Sequence, residues 1–458
     1  MNIAQKVMAR MPERSALGGR AMVASLWGLT ELGASHFLRL ASNLIMTRLL
    51  LPEAFGLMAM VTTLHVAMIL LTDIGISQSI TRSPQGDEKH YLRVTWVIQI
   101  FRSAIITGLI ILAAAILWFA APHLATPGTV YADPDLPGLI AVSAFVILMT
   151  GLASTNEFLA VRRMHLSRVA ILNIATQVVS LVAMLALAQI EATVWTLLWG
   201  MMIGSAFHMV MSHLVFEGPR MGYAWDAKIA SEVWHFGKWI MGASSLTFVS
   251  RNADRFILAA LLDKESFGFY VIAIMWVQAF TMVVGKLIGQ VGFPAFSEVL
   301  RDRPHDIKRV LSRFMRLIDG LCITGFVIFL LGGSFLITTL YPPDYITAAS
   351  FMPFLALAIL RERFNVLGQL LLSHGDSKAV MMDAGSSALM ICAALPVAFH
   401  YMGIEGSLLV VALSPLAGAI PVLIRSRGLL GPDLRSHVIW FFAVLCVGAL
   451  IYLLMPPL

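Results

Sequence analysis

Among the ionisable side chains inside long apolar runs of this 458-residue sequence, thirteen could do chemistry there: seven basic ones (Arg39, Arg102, Arg251, Arg255, Lys286, Arg361, Arg363) and six acidic ones (Glu31, Asp73, Asp254, Asp319, Glu362, Asp383). A charge at the centre of a membrane-length helix costs about 2.5–3.5 kcal/mol or more, so each marks a polar path or a paired structural site. Glu31, Ser35, Arg39 and Ser42 fall on one face at helical spacing, a stripe that must meet a cavity or another helix. Arg251, Asp254 and Arg255 share a face at i, i+3 and i+4. Two readings stand: an intrahelical ion pair with arginines reaching outward, or Asp254 neutralising one arginine and leaving the other for an anion. Arg361 and Arg363 are two residues apart and point to nearly opposite faces. Arg361 shares its face with Asn365 and, roughly, Gln369 and is the better binding residue, while Arg363 is expected to pack against a neighbour. Lys286 and Gln290 share a face beside Gly285 and Gly289, which permit close helix approach. Lys286 either lines the path or reaches toward the cytoplasm. His65, Asp73, Asp319 and Asp383 are weaker candidates.

The elements that position these residues are membrane helices. Apolar residues make up 59% of the chain and charged residues 13%, against about 25% charged in a soluble domain. Lipid must therefore be the solvent. The runs have the length of spanning helices, and no period-two alternation suggests an outer-membrane barrel. Spans are expected at roughly 21–47, 54–80, 94–119, 137–156, 167–188, 193–215, 236–260, 267–293, 317–340, 349–372, 379–401, 405–424 and 437–455. With the N-terminus in the cytoplasm, nearly all the loop Lys and Arg lie inside, and only Arg48 and Lys264 fall in outer loops. The net charge of +6 reflects these inner loops and needs no nucleic acid. Cys322, Cys392 and Cys446 lie within spans and read as core fillers, with no disulfide framework.

The fold class expected is an all-α polytopic membrane protein with two pseudo-symmetric six-helix bundles and one extra C-terminal helix. Leu49-Leu50-Leu51-Pro52-Glu53-Ala54-Phe55-Gly56 recurs as Leu261-Leu262-Asp263-Lys264-Glu265-Ser266-Phe267-Gly268, both L-L-x-x-E-x-F-G. Six spans separate the copies, so both have the same orientation, and the halves form a parallel repeat about an axis along the membrane normal. The expected divisions are a basic tail at 1–20, bundles at 21–215 and 236–424, a linker at 216–235 and an additional helix within 425–458. The tail is either a short interfacial helix with Ile3, Val7, Met8 and Met11 on its apolar side or a solvated segment. Segment 294–316 reads as a basic amphipathic helix at the inner leaflet, with Pro294 ending the helix before it.

The stretch from Asn43 to Arg82 resembles a signature of the bacterial oligosaccharide flippases. It has the Arg48-Leu49-Leu50-Leu51-Pro52-Glu53-Ala54-Phe55-Gly56 turn, then a helix ending near Asp73-Ile74-Gly75. The second half is similar in Ala253-Asp254-Arg255-Phe256-Ile257, Phe267-Gly268-Phe269-Tyr270 and Phe293-Pro294-Ala295-Phe296-Ser297. The resemblance runs from about Gly18 to about Val380. It implies membership of the multidrug/oligosaccharidyl-lipid/polysaccharide exporter superfamily, with two six-helix bundles around a central cavity. The implied task is moving a polyprenyl-diphosphate-linked oligosaccharide across a bacterial inner membrane to the periplasmic leaflet. Implied partners are that glycan, membrane lipid, and a polysaccharide polymerase with chain-length machinery. Two departures are the thirteenth span, where relatives usually have twelve or fourteen, and Asp263-Lys264, where many carry Gly.

For such a substrate Arg39, Arg251, Arg255, Lys286 and Arg361 are the phosphate-binding set, because guanidinium suits phosphate. Glu31 and Asp254 are the carboxylates for a coupling ion, Na+ or H+; no other cofactor is expected. The chain has no Walker A loop, H-E-x-x-H or Gly-x-Ser-x-Gly, so it is not expected to be an enzyme. A cation-coupled small-molecule antiporter of the same superfamily is the alternative. A polymerase ranks last, because the longest outer loop, 120–136, carries no Lys or Arg.

Overall fold

The computed structural model describes residues 17–430 and 434–454. The tail residues Ile3, Val7, Met8 and Met11 lie outside the described residues. In chain order the helices are α1 (Leu17–Met46), α2 (Pro52–Leu71), α3 (Ile76–Arg82), α4 (Lys89–Leu124), α5 (Asp135–Leu152), α6 (Asn156–Arg162), α7 (Leu166–Ala188) and α8 (Val194–Val215). There follow α9 (Ala227–Leu261), α10 (Lys264–Leu287), α11 (Phe293–Asp302), α12 (Ile307–Leu340), α13 (Ala348–Leu360), α14 (Glu362–Ser373), α15 (Ser377–Leu430) and α16 (Leu434–Leu454). No strand forms among the described residues; Thr129 and Asp263 make an isolated antiparallel bridge.

Among the described residues, nine helices are long and apolar enough to cross a membrane, and the protein is a multi-pass membrane protein. The thirteen expected spans exceed nine for physical reasons. The polar side chains of α1 and α9 dilute their hydropathy. The tenth span is divided at Arg361 into α13 and α14. The eleventh and twelfth run together as α15, within which Gly403 alone leaves helical geometry, at φ 65° and ψ −150°. Large apolar side chains face outward, among them Phe119 at 75% and Leu331 at 76% exposure. In a water-soluble protein such positions would be polar; here they meet lipid.

Pro294 does not end the eighth span. The helix passes through one π turn, Ile288–Gly292, into α11, with Pro294 in the first turn of the new segment. A π turn widens the backbone ring and takes up the ladder bond a proline cannot make. The expected linker at 216–235 is also partly helical, because α9 begins at Ala227 with Asp226 accepting from the Lys228 and Ile229 amides at 2.8 and 3.3 Å. Cys322 is buried as expected, whereas Cys392 and Cys446 are exposed.

The chain forms two compact units. One gathers the chain up to Leu50 with Met68–Trp118 and Pro137–Gly242; the other gathers Leu51–Ala67, Phe119–Leu136 and the chain from Ala243. Inside the first unit, Ile74, Ile76, Ile80, Tyr91, Leu92 and Val233 form a buried cluster. Broken helices in the same unit leave carbonyls that lipid cannot satisfy. Gln99 fills that need between α5 and α6: its side-chain amide donates to the Thr150, Gly151 and Ala153 carbonyls at 3.3, 3.0 and 3.2 Å. Arg102 does the same after α2, donating to the Ile69 carbonyl at 2.8 Å and the Thr72 hydroxyl at 3.3 Å. Within the second unit, the two copies of the eight-residue repeat lie against each other through Gly56 and Gly268.

Candidate functional site

In the first unit the polar stripe of α1 meets a helix. Asn173 donates to the Glu31 carboxylate at 2.6 Å, Gln177 donates to the Ser35 hydroxyl at 2.7 Å, and the Ser42 hydroxyl lies 4.0 Å from the Met184 sulfur. All three pairs are 142 positions apart. A constant difference means that α1 and α7 run the same way, as helices separated by an even number of crossings must. Arg39 is excluded from this ladder. It is exposed, and no hydrogen-bond or ion-pair partner of it occurs among the described residues.

One residue that spacing did not reveal stands near Glu31. Glu157 on α6 lies 3.6 Å from the His208 ring nitrogen. It sits beyond the apolar helix α5, and burial, with the Glu31 charge adding to it, pushes its carboxyl up to about 7. Glu157 follows Asn156 in a short segment after a helix break, so no periodic face marks it in the sequence.

The second unit holds the other predicted cations. On α9, Asp254 makes no ion pair with Arg251 or Arg255, unlike the first sequence reading, though Arg255 lies close enough for its charge to act on the carboxylate. Asp254 is 4% exposed and accepts a hydrogen bond from the Tyr270 hydroxyl. Tyr270 belongs to the Phe267-Gly268-Phe269-Tyr270 motif, so two motif pieces meet here through one contact. Arg255 instead donates to the Gln278 amide oxygen at 3.1 Å and the Thr63 hydroxyl at 3.4 Å, both neutral groups. Its Nε is buried with no hydrogen-bond partner. Arg251 is exposed without a hydrogen-bond or ion-pair partner among the described residues, though it lies close enough to Glu362 to feel its charge.

The tenth span supplies the other half of this polar cluster. The interruption at Arg361 sends successive side chains to different neighbours. Arg361 pairs with Asp383 on α15 at 3.1 Å, and its Nε is buried with no partner. Gly418 makes room for the Asp383 carboxylate, where any methyl group would collide with it. Glu362 is 6% exposed and accepts from Asn365 at 2.6 Å. Its other near neighbour is Gly285 on α10, where an added methyl would stand 3.8 Å from a Glu362 oxygen. Lys286, next along α10, is half-buried with no hydrogen-bond or ion-pair partner among the described residues. Arg363 packs against a neighbour as the spacing predicts, in an ion pair with Asp319 and a 3.2 Å hydrogen bond to His437. Among the described residues no group of three His, Cys, Asp or Glu side chains is arranged to hold a metal ion.

Long helices thus hold several cations, Arg39, Arg251 and Lys286 among them, that make no ion pair among the described residues. Comparison with known proteins gives the family. Residues 45–350 match the family model described as polysaccharide biosynthesis protein, and the chain belongs to that family. It is 21% identical over 278 residues to the succinoglycan biosynthesis transport protein ExoT of Rhizobium meliloti (strain 1021), covering 60% of this chain and 54% of that one. The chain thus spans about half the length of the curated relative it matches. Among solved structures, an inward-facing multidrug resistance MATE family transporter of the MOP superfamily superposes with a TM-score of 0.65 at 14% identity, covering 89% of this chain and 99% of that one. The lipid II flippase MurJ, in an inward closed conformation, gives 0.63 at 12% identity, covering 95% and 98%. At these identities the likeness establishes the fold.

Proposed function

We propose that this protein is a flippase carrying a polyprenyl-diphosphate-linked oligosaccharide from the cytoplasmic to the periplasmic leaflet of a bacterial inner membrane, without enzymatic chemistry. The observation that carries the reading is the state of the intramembrane cations. Arg39, Arg251 and Lys286 have no ion-pair or hydrogen-bond partner among the described residues, and Arg255 hydrogen-bonds only to neutral groups, with the Asp254 charge nearby. Charges left without partners at this depth are costly unless they face water or an anionic ligand. A diphosphate offers the acceptor geometry that guanidinium groups match in pairs.

Arg251, Arg255, Lys286 and Arg361 are the diphosphate contacts of the second unit, and Arg39 is that of the first. Arg361 reaches a phosphate by partial release from Asp383. Transport proceeds by alternating access, in which the close contact of Gly56 with Gly268 forms and parts once per cycle. For a coupling ion, Na+ or H+, Glu31 is the carboxylate of choice. Asp254, locked to Tyr270, is the second.

The test follows lipid-linked glycan by leaflet-selective labelling in a deletion strain. Restoring the unmodified gene should release intermediates stranded on the cytoplasmic leaflet, while Arg39→Ala and Arg361→Ala, inserted at normal levels, should not. Normal export in both variants removes these two residues from the site. Glycan already on the periplasmic leaflet in the deletion strain rejects the flippase reading itself.

A further inference from the structure

The helix that exceeds the twelve-span plan is fastened to the interruption beside Arg361. In a regular α-helix the Leu360 carbonyl would accept the Phe364 amide. That amide instead donates to the Arg361 carbonyl at 2.9 Å, a tighter turn that leaves the Leu360 oxygen without its ladder partner. An unpaired carbonyl inside a membrane costs several kcal/mol. The indole N–H of Trp440 on α16 supplies the missing donor at 3.1 Å.

Three further contacts hold the same turn to α16. The Arg363 guanidinium lies 5.0 Å from the centre of the Trp440 ring, in cation–π range. Its Nε donates to His437 Nδ1 at 3.2 Å, and His437 is only 3% exposed. Phe364 meets Phe441 edge to face with ring centres 6.2 Å apart. Arg363 is thereby fixed between Asp319 on α12 and His437 on α16, while Arg361, two residues earlier, is directed to Asp383 on α15.

We infer that α16 is a positioning element: Trp440 and His437 set the turn at Leu360–Phe364 and so aim Arg361 at the ligand. The inference rests on the reading of Arg361 as a diphosphate contact. It gives the additional helix a task beyond anchoring, since the donor for the Leu360 carbonyl comes from that helix.

The experiment uses the full chain in lipid nanodiscs, with geranylgeranyl diphosphate as probe. Trp440→Phe keeps an aromatic ring beside Arg363 and removes the N–H together with the five-membered half of the indole. Hydrogen exchange is measured over the amides of Arg361–Asn365, together with probe affinity and the melting temperature. The expected result for Trp440→Phe is faster exchange in that segment, roughly tenfold weaker probe binding, about 1.4 kcal/mol, and a lowered melting temperature, because the Leu360 carbonyl loses its donor. Combined with Arg361→Ala it should add no further loss, because both changes act through one residue. Unchanged exchange overturns the positioning role, and so does additive weakening. Probe binding lost in Arg361→Ala but intact in Trp440→Phe overturns it as well, while leaving the site standing. Undiminished binding in Arg361→Ala removes the ligand site, and the inference falls with it.

Discussion

Gly56 and Gly268, the final residues of the two repeat copies, make the same contact in opposite directions. A methyl group on Gly56 would stand 3.1 Å from the Lys264 carbonyl oxygen and 3.3 Å from the Gly268 nitrogen. A methyl on Gly268 would collide with the Pro52 carbonyl oxygen. Pro52 and Lys264 are themselves equivalent, the fourth residues of their copies. Each eighth residue thus packs on the other copy's fourth, the reciprocity that a local two-fold axis requires. Around it, the Lys264 ammonium sits 2.8 Å from Asp133 and 3.3 Å from Glu53, and the Lys264 amide donates to the Gly128 carbonyl at 3.2 Å.

Because the Gly268 obstacle is backbone, Gly268→Ala should destabilise the protein by about 1–3 kcal/mol, the usual cost of overpacking. Gly108→Ala, in a helix with open space around the new methyl, should be neutral or gain up to about 1 kcal/mol from helix propensity. Thermal unfolding in detergent compares them. Equal melting temperatures for the two variants would contradict the tight contact.

If the proposed export requires the two repeat turns to separate, tying them together must stop it. With Glu53→Cys and Lys264→Cys joined by a short cleavable cross-linker, glycan export should fall to background and return on cleavage. Each single cysteine variant treated alike should keep exporting. Undisturbed export by the cross-linked protein would show that the turns stay together throughout the cycle.

Glu157 makes stability pH-dependent. Its folded carboxyl titrates near 7 against an ordinary value of 4.5, so between these values the folded chain holds a proton that the unfolded chain has lost. Stability must therefore decline as pH rises through that window. Glu157→Gln, which cannot ionise, should flatten the dependence and melt higher above pH 7. The melting temperature from pH 4.5 to 8 decides; an unchanged slope in the variant would assign the effect elsewhere.

Gln99 is the donor for three carbonyls at the break between α5 and α6. Gln99→Leu keeps the bulk and removes the amide, and should cost about 1–3 kcal/mol because buried acceptors lose their partner. Chemical denaturation in mixed micelles measures the difference. A cost below about 0.5 kcal/mol would mean that neighbouring donors, such as Trp96 and His213 at Leu152, suffice.

The all-helical membrane fold was legible because lipid imposes apolar runs of fixed length, and the repeat was legible because its turns share Glu, Phe and Gly, the glycines being required by the close contact of the copies. Helical periodicity placed Glu31 and Ser35 on one face but was silent on what that face meets, since a partner at a distance of 142 positions leaves no local trace. The same limit hid Tyr270 from Asp254 and His208 from Glu157. For Arg361 and Arg363, the two-residue spacing did predict divergent directions, and the structure sends them to Asp383 and Asp319 respectively. Pro294 misled because a π turn absorbs what a proline otherwise breaks.

The reciprocal glycine contact is symmetric in backbone but not in charge. The copies differ at their third and fourth residues, Leu51-Pro52 against Asp263-Lys264. Only the later copy carries a cation, and the anions it engages, Glu53 and Asp133, both come from the earlier half. A fit that works equally in both directions is thus fastened by a clasp that works in one.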